Sequence, residues 1–216
     1  MPPPGPAANA APMTDTPQTY LVSPPDPGPD FAGDLARLLD TAEIACVRLD
    51  LATRDEGRLT RLSDTAREVC HARDVACVLS DHPALAQRLG LDGVHWRGPA
   101  AHLRKLRAEI GPDAILGAFC GTSRHDGMTA GELGADYVAF GPVGTTDLGT
   151  GARAEPDLFA WWSEMIELPI VAEGALDEAA IRQLAPVADW FALGEEVWRA
   201  ADPAARLRQL QAAMAG

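Results

Sequence analysis

Short apolar runs alternate along the chain with longer segments whose apolar residues recur every three or four positions. The short runs are typical of buried strands, and the longer segments are typical of amphipathic helices. The predicted strands are residues 19–22, 44–51, 75–79, 93–96, 114–119, 137–140, 170–172 and 190–193. The predicted helices are residues 30–39, 55–73, 83–89, 100–110, 128–133, 156–167, 177–184 and 203–214.

This alternation of strand and helix predicts the fold class. A strand, a helix and a further strand form a right-handed crossover between parallel strands, and eight such pairs close naturally into a (β/α)8 TIM barrel. An open, doubly wound sheet is the alternative, but its usual loop, Gly-x-Gly-x-x-Gly after the first strand, is missing here. We therefore predict an α/β protein with a single (β/α)8 barrel over residues 19–216.

The first 18 residues differ in composition from the rest of the chain. Ten of the 18 prolines fall within the first thirty residues, and the segment lacks the basic and apolar stretches of a signal peptide. Such a composition buries too little apolar surface to offset the entropy that is lost on ordering. Residues 1–18 are predicted to be a disordered leader.

The net charge of −13 excludes whole classes of partner. It repels nucleic acid and anionic membrane surfaces, and no stretch approaches the roughly 18 apolar residues that a membrane span needs. The four cysteines form no Cys-x-x-Cys pair, and Lys105 is the sole lysine. These features predict a cytoplasmic protein with reduced cysteines and a small-molecule ligand. They leave the oligomeric state open, and a homo-oligomer is one of the alternatives.

Glycines stand at the tips of the last two predicted strands. In such barrels the chemistry lies at the C-terminal ends of the strands, and the loops after strands seven and eight commonly hold phosphate. Gly174 and Gly194 precede predicted helices, so their backbone N–H groups could face a phosphate, or the glycines could simply make tight turns. Glu173, Glu195 and Glu196 flank them and would repel an anion unless they point away.

A glycine-rich loop, residues 141–146, directly follows the predicted strand 137–140. Its two hydroxyls, on Thr145 and Thr146, and its free backbone N–H groups could donate hydrogen bonds to an oxyanion at the barrel mouth. The same composition is typical of a flexible surface connection, and both interpretations stay open.

Side chains able to hold a metal or move a proton follow other strand tips. Asp81 is a candidate Mg²⁺ ligand, and Asp50 at the neighbouring strand tip is a candidate second ligand. Alternatively, Asp81 caps the next helix. His125 is an accessible acid–base candidate, and Cys120 is a candidate nucleophile for which no neighbouring pattern supplies a base. His95 lies within a strand and is predicted to be a core histidine.

Three segments carry a family resemblance: 92–95 (Asp-Gly-Val-His), 134–143 (Gly-Ala-Asp-Tyr-Val-Ala-Phe-Gly-Pro-Val) with Thr146 after it, and 168–172 (Leu-Pro-Ile-Val-Ala). Together they are similar to the thiamine-phosphate synthase family and its thiazole tautomerase relatives, over about residues 19–198. The resemblance implies a (β/α)8 barrel in thiamine biosynthesis. It also implies a transferase that joins a hydroxymethylpyrimidine pyrophosphate to a thiazole phosphate with Mg²⁺.

At the metal and pyrophosphate positions the resemblance implies an incomplete site. The family's Gln-x-Arg-x-Lys at the second strand corresponds to residues 48–52, where Arg48 alone is left as a pyrophosphate contact. The family's Asn-Asp pair after the third strand corresponds to Ser80 and Asp81, so Asp81 is the implied Mg²⁺ ligand. The family's second metal carboxylate falls near Ala100.

The substrate-binding positions are also partly changed. A family serine after the fifth strand falls at Cys120, and the tautomerase histidine falls at Thr122, with His125 nearby. Thr146 matches the family threonine, whereas the family lysine three residues later is Gly149.

The implied phosphate turn keeps one of its two glycines. The family's Gly-Gly-Ile reads Gly174, Ala175 and Leu176, and the serine after the eighth strand is Glu195.

The resemblance therefore implies a thiamine-phosphate synthase-like protein whose coupling reaction is impaired. A departing pyrophosphate is stabilised by Mg²⁺ and cationic side chains, several of which are missing here, although Arg97, Arg124 or Arg153 could substitute. Two alternatives stay open. One is a metal-independent, tautomerase-like enzyme with His125 or Cys120 as the base, and the other is a non-catalytic, ligand-sensing barrel.

Overall fold

The computed structural model of the protein describes residues 16–145 and 151–215. Eight parallel strands close into a barrel in chain order, so that β1 pairs with both β2 and β8. The strands are β1 (Gln18–Val22), β2 (Cys46–Leu49), β3 (Ala76–Ser80), β4 (Gly93–Trp96), β5 (Ile115–Phe119), β6 (Tyr137–Phe140), β7 (Ile170–Glu173) and β8 (Trp190–Leu193). The predicted (β/α)8 barrel is confirmed.

Helices connect the strands and cover the outside of the barrel. They are α1 (Phe31–Thr41), α2 (Glu56–His71), α3 (Pro83–Leu89), α4 (Leu103–Ile110), α5 (Arg124–Glu132), α6 (Pro156–Met165), α7 (Glu178–Leu184), α8 (Glu195–Trp198) and α9 (Pro203–Met214). The carboxylates of Asp55, Asp177 and Asp202 cap three of them by accepting from backbone N–H groups three residues further on. None of the helices in the described ranges combines the length and the hydropathy that a membrane span requires.

A few boundaries differ from the prediction. β1 begins at Gln18, one residue inside the predicted leader, because the Gln18 N–H donates to the carbonyl of Asp189 at 2.9 Å. α5 begins at Arg124, four residues earlier than predicted, because Ser123 caps it. The short helix α8 was not predicted, since four residues carry no periodic pattern. Residues 1–15 of the predicted leader lie outside the described part of the chain.

Side chains fill the barrel interior below its mouth. The inward-facing residues of the middle layers include Tyr20, Cys46, Val78, Tyr137, Ala139, Val171 and Ala192. Trp190 lies below them, with its ring centroid 5.9 Å from that of Tyr20 and 6.1 Å from that of Tyr137. A packed interior of this kind leaves no room for a ligand inside the barrel, and in TIM-barrel enzymes the active site lies at the C-terminal ends of the strands.

Three aspartates lie at the starts of strands, at the end of the barrel opposite the mouth. Each carboxylate accepts a hydrogen bond of 2.7 or 2.8 Å from a backbone N–H of the preceding strand. The pairs are Asp92 with Cys77, Asp136 with Leu116, and Asp189 with Ile170. The aspartates of the Asp-Gly-Val-His and Gly-Ala-Asp-Tyr segments therefore hold the fold together and take no part in the mouth.

Candidate active site

A chain of hydrogen-bonded polar side chains crosses the barrel interior just below the mouth. Arg48 of β2 is 4% exposed and donates from Nη1 to Glu173 Oε2 at 2.7 Å and to His95 Nε2 at 2.8 Å. His95 Nδ1 lies 2.9 Å from the Tyr137 hydroxyl, which lies 2.5 Å from the Tyr20 hydroxyl. The chain therefore links five of the eight strands through their side chains.

The neighbours of these groups determine their charges. Burial, aided by the Arg48 and Arg97 guanidinium groups, holds the pKa of His95 well below its usual value, so the ring is neutral. Because an arginine only donates, His95 accepts at Nε2 and donates from Nδ1 to Tyr137. Burial lowers the pKa of Arg48, but the Glu173 carboxylate outweighs burial and the pKa rises. Arg48 is a permanent cation, and His95 is the core histidine that the sequence predicts.

The Arg48 side chain points into the barrel, although the resemblance implies that it contacts the pyrophosphate. Its guanidinium is engaged by Glu173 and His95. Its Nε atom is buried and has no hydrogen-bond partner among the residues that the structure describes. One donor of Arg48 is therefore left for a ligand that reaches the floor of the mouth.

Asp81 lies at the mouth in an ion-pair cluster with Arg97 and Asp50. Asp81 Oδ1 accepts from the Arg97 backbone N–H at 2.9 Å, and Asp81 Oδ2 accepts from Arg97 Nε at 2.8 Å. Arg97 Nη1 lies 2.8 Å from Asp50 Oδ1. The alternative interpretation of Asp81 as a helix cap is wrong, because α3 begins after His82.

The carboxylates at this mouth form a small donor set for a metal. Ala100, at the position of the family's second metal carboxylate, offers no side-chain oxygen. Within residues 16–145 and 151–215, no group of three or more His, Cys, Asp or Glu side chains is arranged to hold a metal ion. A cation between Asp50 and Asp81 would therefore take its remaining ligands from water or substrate, as Mg²⁺ commonly does.

Across the barrel, the loop after β6 packs on the tip of β7. The backbone N–H groups of Val143 and Gly144 donate to the carbonyl of Gly174 at 3.1 and 3.0 Å. Gly174 has a φ of +88°, and an added Cβ there would lie 2.9 Å from Pro142. Glycine is therefore required at this turn, both for its backbone conformation and for the close approach of the two loops.

The other phosphate candidates stand around this contact. Ala175 also has a positive φ, +52°, and its carbonyl oxygen would lie 2.1 Å from a Cβ added to Gly144, so the turn and the loop touch. Thr145 is exposed at the end of the described part of that loop, and Thr146 lies outside the described residues. Gly194 follows β8, the strand next to β7, and is the N-cap of α8.

Each carboxylate near these tips is paired or buried. Glu173 is paired with Arg48 inside the barrel at 2.7 Å. Glu195 accepts from Arg199 at 2.7 Å on the surface. Burial raises the pKa of Glu196, which favours its neutral form. The repulsion that these three residues would exert on an anion is thus weaker than their formal charges suggest.

Cys120 and His125 follow β5, the strand next to β6, and the Gly141 N–H at the start of the β6 loop donates to the carbonyl of Gly121 at 3.0 Å. With Arg97, Cys120 and His125 line a cleft of about 790 Å³ between the segments that follow β4 and β5. Burial raises the pKa of Cys120 to about 12, and its Sγ donates to the carbonyl of Ala118 at 3.7 Å, so at neutral pH it is a thiol. His125 is exposed in the first turn of α5. Of the phosphate candidates within the described residues, Thr145, Gly174, Ala175 and Gly194 do not line this cleft.

Of the three arginines considered as substitutes, Arg97 is the one that reaches the mouth carboxylates. Arg124 stacks on the ring of Trp161, with its guanidinium carbon 4.7 Å from the ring centroid. Arg153 lies 3.7 Å from the carboxylate of Glu155.

Sequence reasoning missed the interior partners of Arg48. From the sequence alone, Glu173 is a source of repulsion for an anion, and Tyr137 is part of a family motif. The available signal was the two-residue period of the strands, which places Arg48, His95, Tyr137 and Glu173 on inward-facing positions.

Comparison with known proteins gives consistent matches. Residues 19–195 match a family model described as thiamine monophosphate synthase. The chain is 42% identical over 210 residues to a thiamine-phosphate synthase of Rhodospirillum centenum, covering 94% of this chain and 100% of that protein. It is 36% identical over 194 residues to a thiamine-phosphate synthase of Erythrobacter litoralis, covering 87% and 91%. The solved structure of a thiamine phosphate pyrophosphorylase from Pyrococcus furiosus superposes with a TM-score of 0.79 at 20% identity, covering 92% and 97%, and supports the fold alone.

Proposed function

Because the chain belongs to the thiamine monophosphate synthase family, we propose that it binds a phosphorylated thiazole at the tips of β6, β7 and β8. We further propose that it joins this thiazole to an activated pyrimidine with release of pyrophosphate, but slowly. The proposed phosphate-binding residues are Thr145, Thr146, Gly174, Ala175, Gly194 and Glu195, the last through its backbone. The proposal includes Mg²⁺ as cofactor, a cytoplasmic location and no nucleic-acid partner.

The charge state of the β7 and β8 tips carries this proposal. A phosphate bound there meets the backbone of a glycine-containing turn and the start of α8. The three nearby glutamates do not present three free charges, because Glu173 pairs with Arg48, Glu195 pairs with Arg199, and burial raises the pKa of Glu196. An anion is therefore tolerated at a place where the sequence alone suggests repulsion.

The remaining steps fall to groups at the mouth. The free Nε–H of Arg48 can donate to a heterocycle that reaches the floor, and Arg97 supplies a positive charge near the leaving pyrophosphate. Mg²⁺, when bound, would stabilise the negative charge that develops on the leaving oxygens, and Asp81 is the residue that the resemblance assigns to it. Cys120 is a poor base as a buried thiol, which leaves the tautomerase alternative with His125 alone.

Turnover is expected to be slow, because Asp50 and Ala52 replace basic residues of the family pattern and Ala100 replaces a metal carboxylate. With both substrates and Mg²⁺, we expect thiamine phosphate to form at less than about 0.1 s⁻¹, against roughly 1 to 10³ s⁻¹ for typical enzymes. Mass spectrometry of the product measures this rate. A faster rate would show that the site is not impaired, and binding of the thiazole phosphate without any product would identify a non-catalytic barrel.

Two substitutions at Ala175 test the phosphate site directly. Asn and Asp have the same shape and tolerate the left-handed backbone that Ala175 adopts, but only Asp adds a negative charge to the exposed turn. We expect Ala175→Asp to weaken thiazole phosphate binding about tenfold or more relative to Ala175→Asn, as like charges a few ångströms apart would. Calorimetric titration measures both affinities. Equal affinities would place the phosphate elsewhere.

A further inference from the structure

The hydrogen bonds of the buried chain below the mouth have one fixed direction. Arg48 Nη1 carries two N–H bonds, and it gives one to Glu173 Oε2 at 2.7 Å and the other to His95 Nε2 at 2.8 Å. His95 donates in turn from Nδ1 to the Tyr137 hydroxyl at 2.9 Å, which leaves the Tyr137 proton for Tyr20 at 2.5 Å. From the guanidinium to Tyr20, each proton therefore points away from Arg48.

This arrangement leaves the Nε–H of Arg48 as a donor without a partner. Both N–H bonds of Nη1 are used by protein acceptors, and Nη2 lies 3.9 Å from Asp50 Oδ2, beyond hydrogen-bond distance. Nε is buried and has no hydrogen-bond partner among residues 16–145 and 151–215. Because the guanidinium is planar and rigid, the two contacts of Nη1 also fix the direction of the Nε–H bond.

A second buried polar atom without a partner lies beside the chain. Ser80 is 3% exposed, and its Oγ has no hydrogen-bond partner within the described part of the protein. It pairs with His95 in the β3–β4 ladder, and it shares the inward face of β3 with Val78, two residues earlier. Buried polar atoms without partners are uncommon in folded proteins, and a ligand at the floor of the mouth would supply partners for both Ser80 and Arg48.

The proton of His95 decides whether Arg48 keeps its orientation. Burial, together with the Arg48 and Arg97 guanidinium groups, holds the pKa of His95 well below its usual value, so the ring carries a single proton. If that proton were on Nε2, two N–H donors would face each other across 2.8 Å. The Tyr137 hydroxyl prevents this by accepting from Nδ1, and its ring confines the imidazole at a centroid distance of 5.7 Å. Tyr137 therefore fixes the tautomer of His95, and the tautomer fixes Arg48.

We propose that His95 is a positioning residue, with Tyr137 fixing its tautomer, and that it turns Arg48 so that the Nε–H donates to a substrate at the floor of the mouth. His95 is 0% exposed and acts through Arg48 without touching the substrate. The identity of the ligand rests on the proposed function: the thiazole phosphate takes the tips of β6, β7 and β8, so the ligand that reaches Arg48 on β2 is the pyrimidine, whose ring nitrogens accept hydrogen bonds. The tautomer of His95 and the orientation of Arg48 do not depend on that function.

Calorimetric titration with hydroxymethylpyrimidine pyrophosphate and Mg²⁺, in the absence of the thiazole, tests the effect on binding. We expect His95→Leu to weaken binding about tenfold or more, because Arg48 loses an acceptor for a charged donor. His95→Gln should stay within about threefold of the wild type, because the amide offers both an acceptor and a donor. Tyr137→Phe should weaken binding by about threefold or more, because Nδ1 loses its acceptor.

Two measurements show whether these effects are specific. Binding of the thiazole phosphate should be unchanged in all three variants, since that ligand takes other strand tips. His71→Leu is the matched control: it removes a histidine contact of 2.9 Å with Asp92 at the opposite end of the barrel, and it should leave pyrimidine binding unchanged.

Nitrogen-15 NMR of the ligand-free protein supplies a readout that a loss of stability alone would not change. We expect the His95 ring to carry its proton on Nδ1, and we expect separate signals for the Arg48 Nη protons, because their contacts block rotation of the guanidinium. His95→Leu should merge these signals, and His95→Gln should keep them separate.

Two results would overturn the proposal. If folded His95→Leu binds the pyrimidine pyrophosphate as tightly as the wild type, the role of His95 is structural only. If His95→Gln binds as weakly as His95→Leu, the hydrogen-bonding groups at this position do not orient Arg48. Thermal melting shows whether each variant is folded, and Tyr137→Phe, which keeps the ring, decides the question if His95→Leu is not. A wild-type protein with the expected NMR signals that binds no pyrimidine pyrophosphate would contradict the proposed function and leave the positioning of Arg48 standing.

Discussion

Replacing Arg48 with methionine is expected to lower the free energy of unfolding by about 3–5 kcal/mol. The guanidinium is 4% exposed and lies 2.7 Å from the carboxylate of Glu173. Without it, that carboxylate and the Nε2 acceptor of His95 lose their donor in the barrel interior, where water does not replace it. Chemical denaturation of the variant and the wild type measures the difference.

Two further variants show whether the loss of stability comes from the burial of the Arg48–Glu173 pair or would follow from breaking any arginine–carboxylate pair. Arg73→Met removes the partner of Asp40 on the surface and should change the stability far less than Arg48→Met does, because solvent screens an exposed ion pair. Adding Glu173→Met to Arg48→Met should restore part of the lost stability, because no buried charge then lacks a partner. Equal losses for Arg48→Met and Arg73→Met would show that the interior pair does not hold the barrel together.

The strand positions were predictable because the apolar runs are short and sharply bounded. β4, β6 and β8 have the predicted bounds. β2 is shorter than predicted, since the N–H of Asp50 leaves the ladder and donates to Ser23 Oγ at 3.0 Å. A side-chain acceptor 27 residues away along the chain is not visible in a periodic pattern, and strand ends are therefore less predictable than strand centres.

The residue types of the site and their strand tips were predictable from the sequence, but the contacts between their side chains were not. Asp50 and Asp81 could be placed at neighbouring tips from the order of the strands. That both would face Arg97 depends on the left-handed turn at Asp81, which no local signal announces. The family pattern assigns Arg48 to the pyrophosphate. The strand period places its side chain on the inward face, but its pairing with Glu173, 125 residues further along the chain, is not visible in the sequence.

Replacing Gly117 with alanine is expected to destabilise the barrel by about 3 kcal/mol, through the ring of Tyr137. An added Cβ would lie 2.0 Å from Tyr137 Cζ and 2.2 Å from its hydroxyl oxygen. The ring has little room to move, because it stacks with His95 and Trp190 at centroid distances of 5.7 and 6.1 Å. Overpacking a core usually costs about 1–3 kcal/mol, and a confined ring belongs at the upper end. At about 2–4 °C per kcal/mol for a chain of this size, the melting temperature should fall by about 6–12 °C.

Gly33→Ala is the matched control for this substitution. Gly33 lies in α1 with nothing within 4 Å of an added Cβ, and alanine favours a helix over glycine by about 0.5–1 kcal/mol, so the melting temperature should rise slightly. Combining Gly117→Ala with Tyr137→Leu should recover stability by making room, but it removes the hydroxyl that contacts His95 Nδ1 at 2.9 Å. The double variant thus separates packing from hydrogen bonding. If Gly117→Ala alone has the melting temperature of the wild type, the Tyr137 ring is free to move. In that case it cannot be the rigid support through which His95 holds Arg48 at the floor of the site.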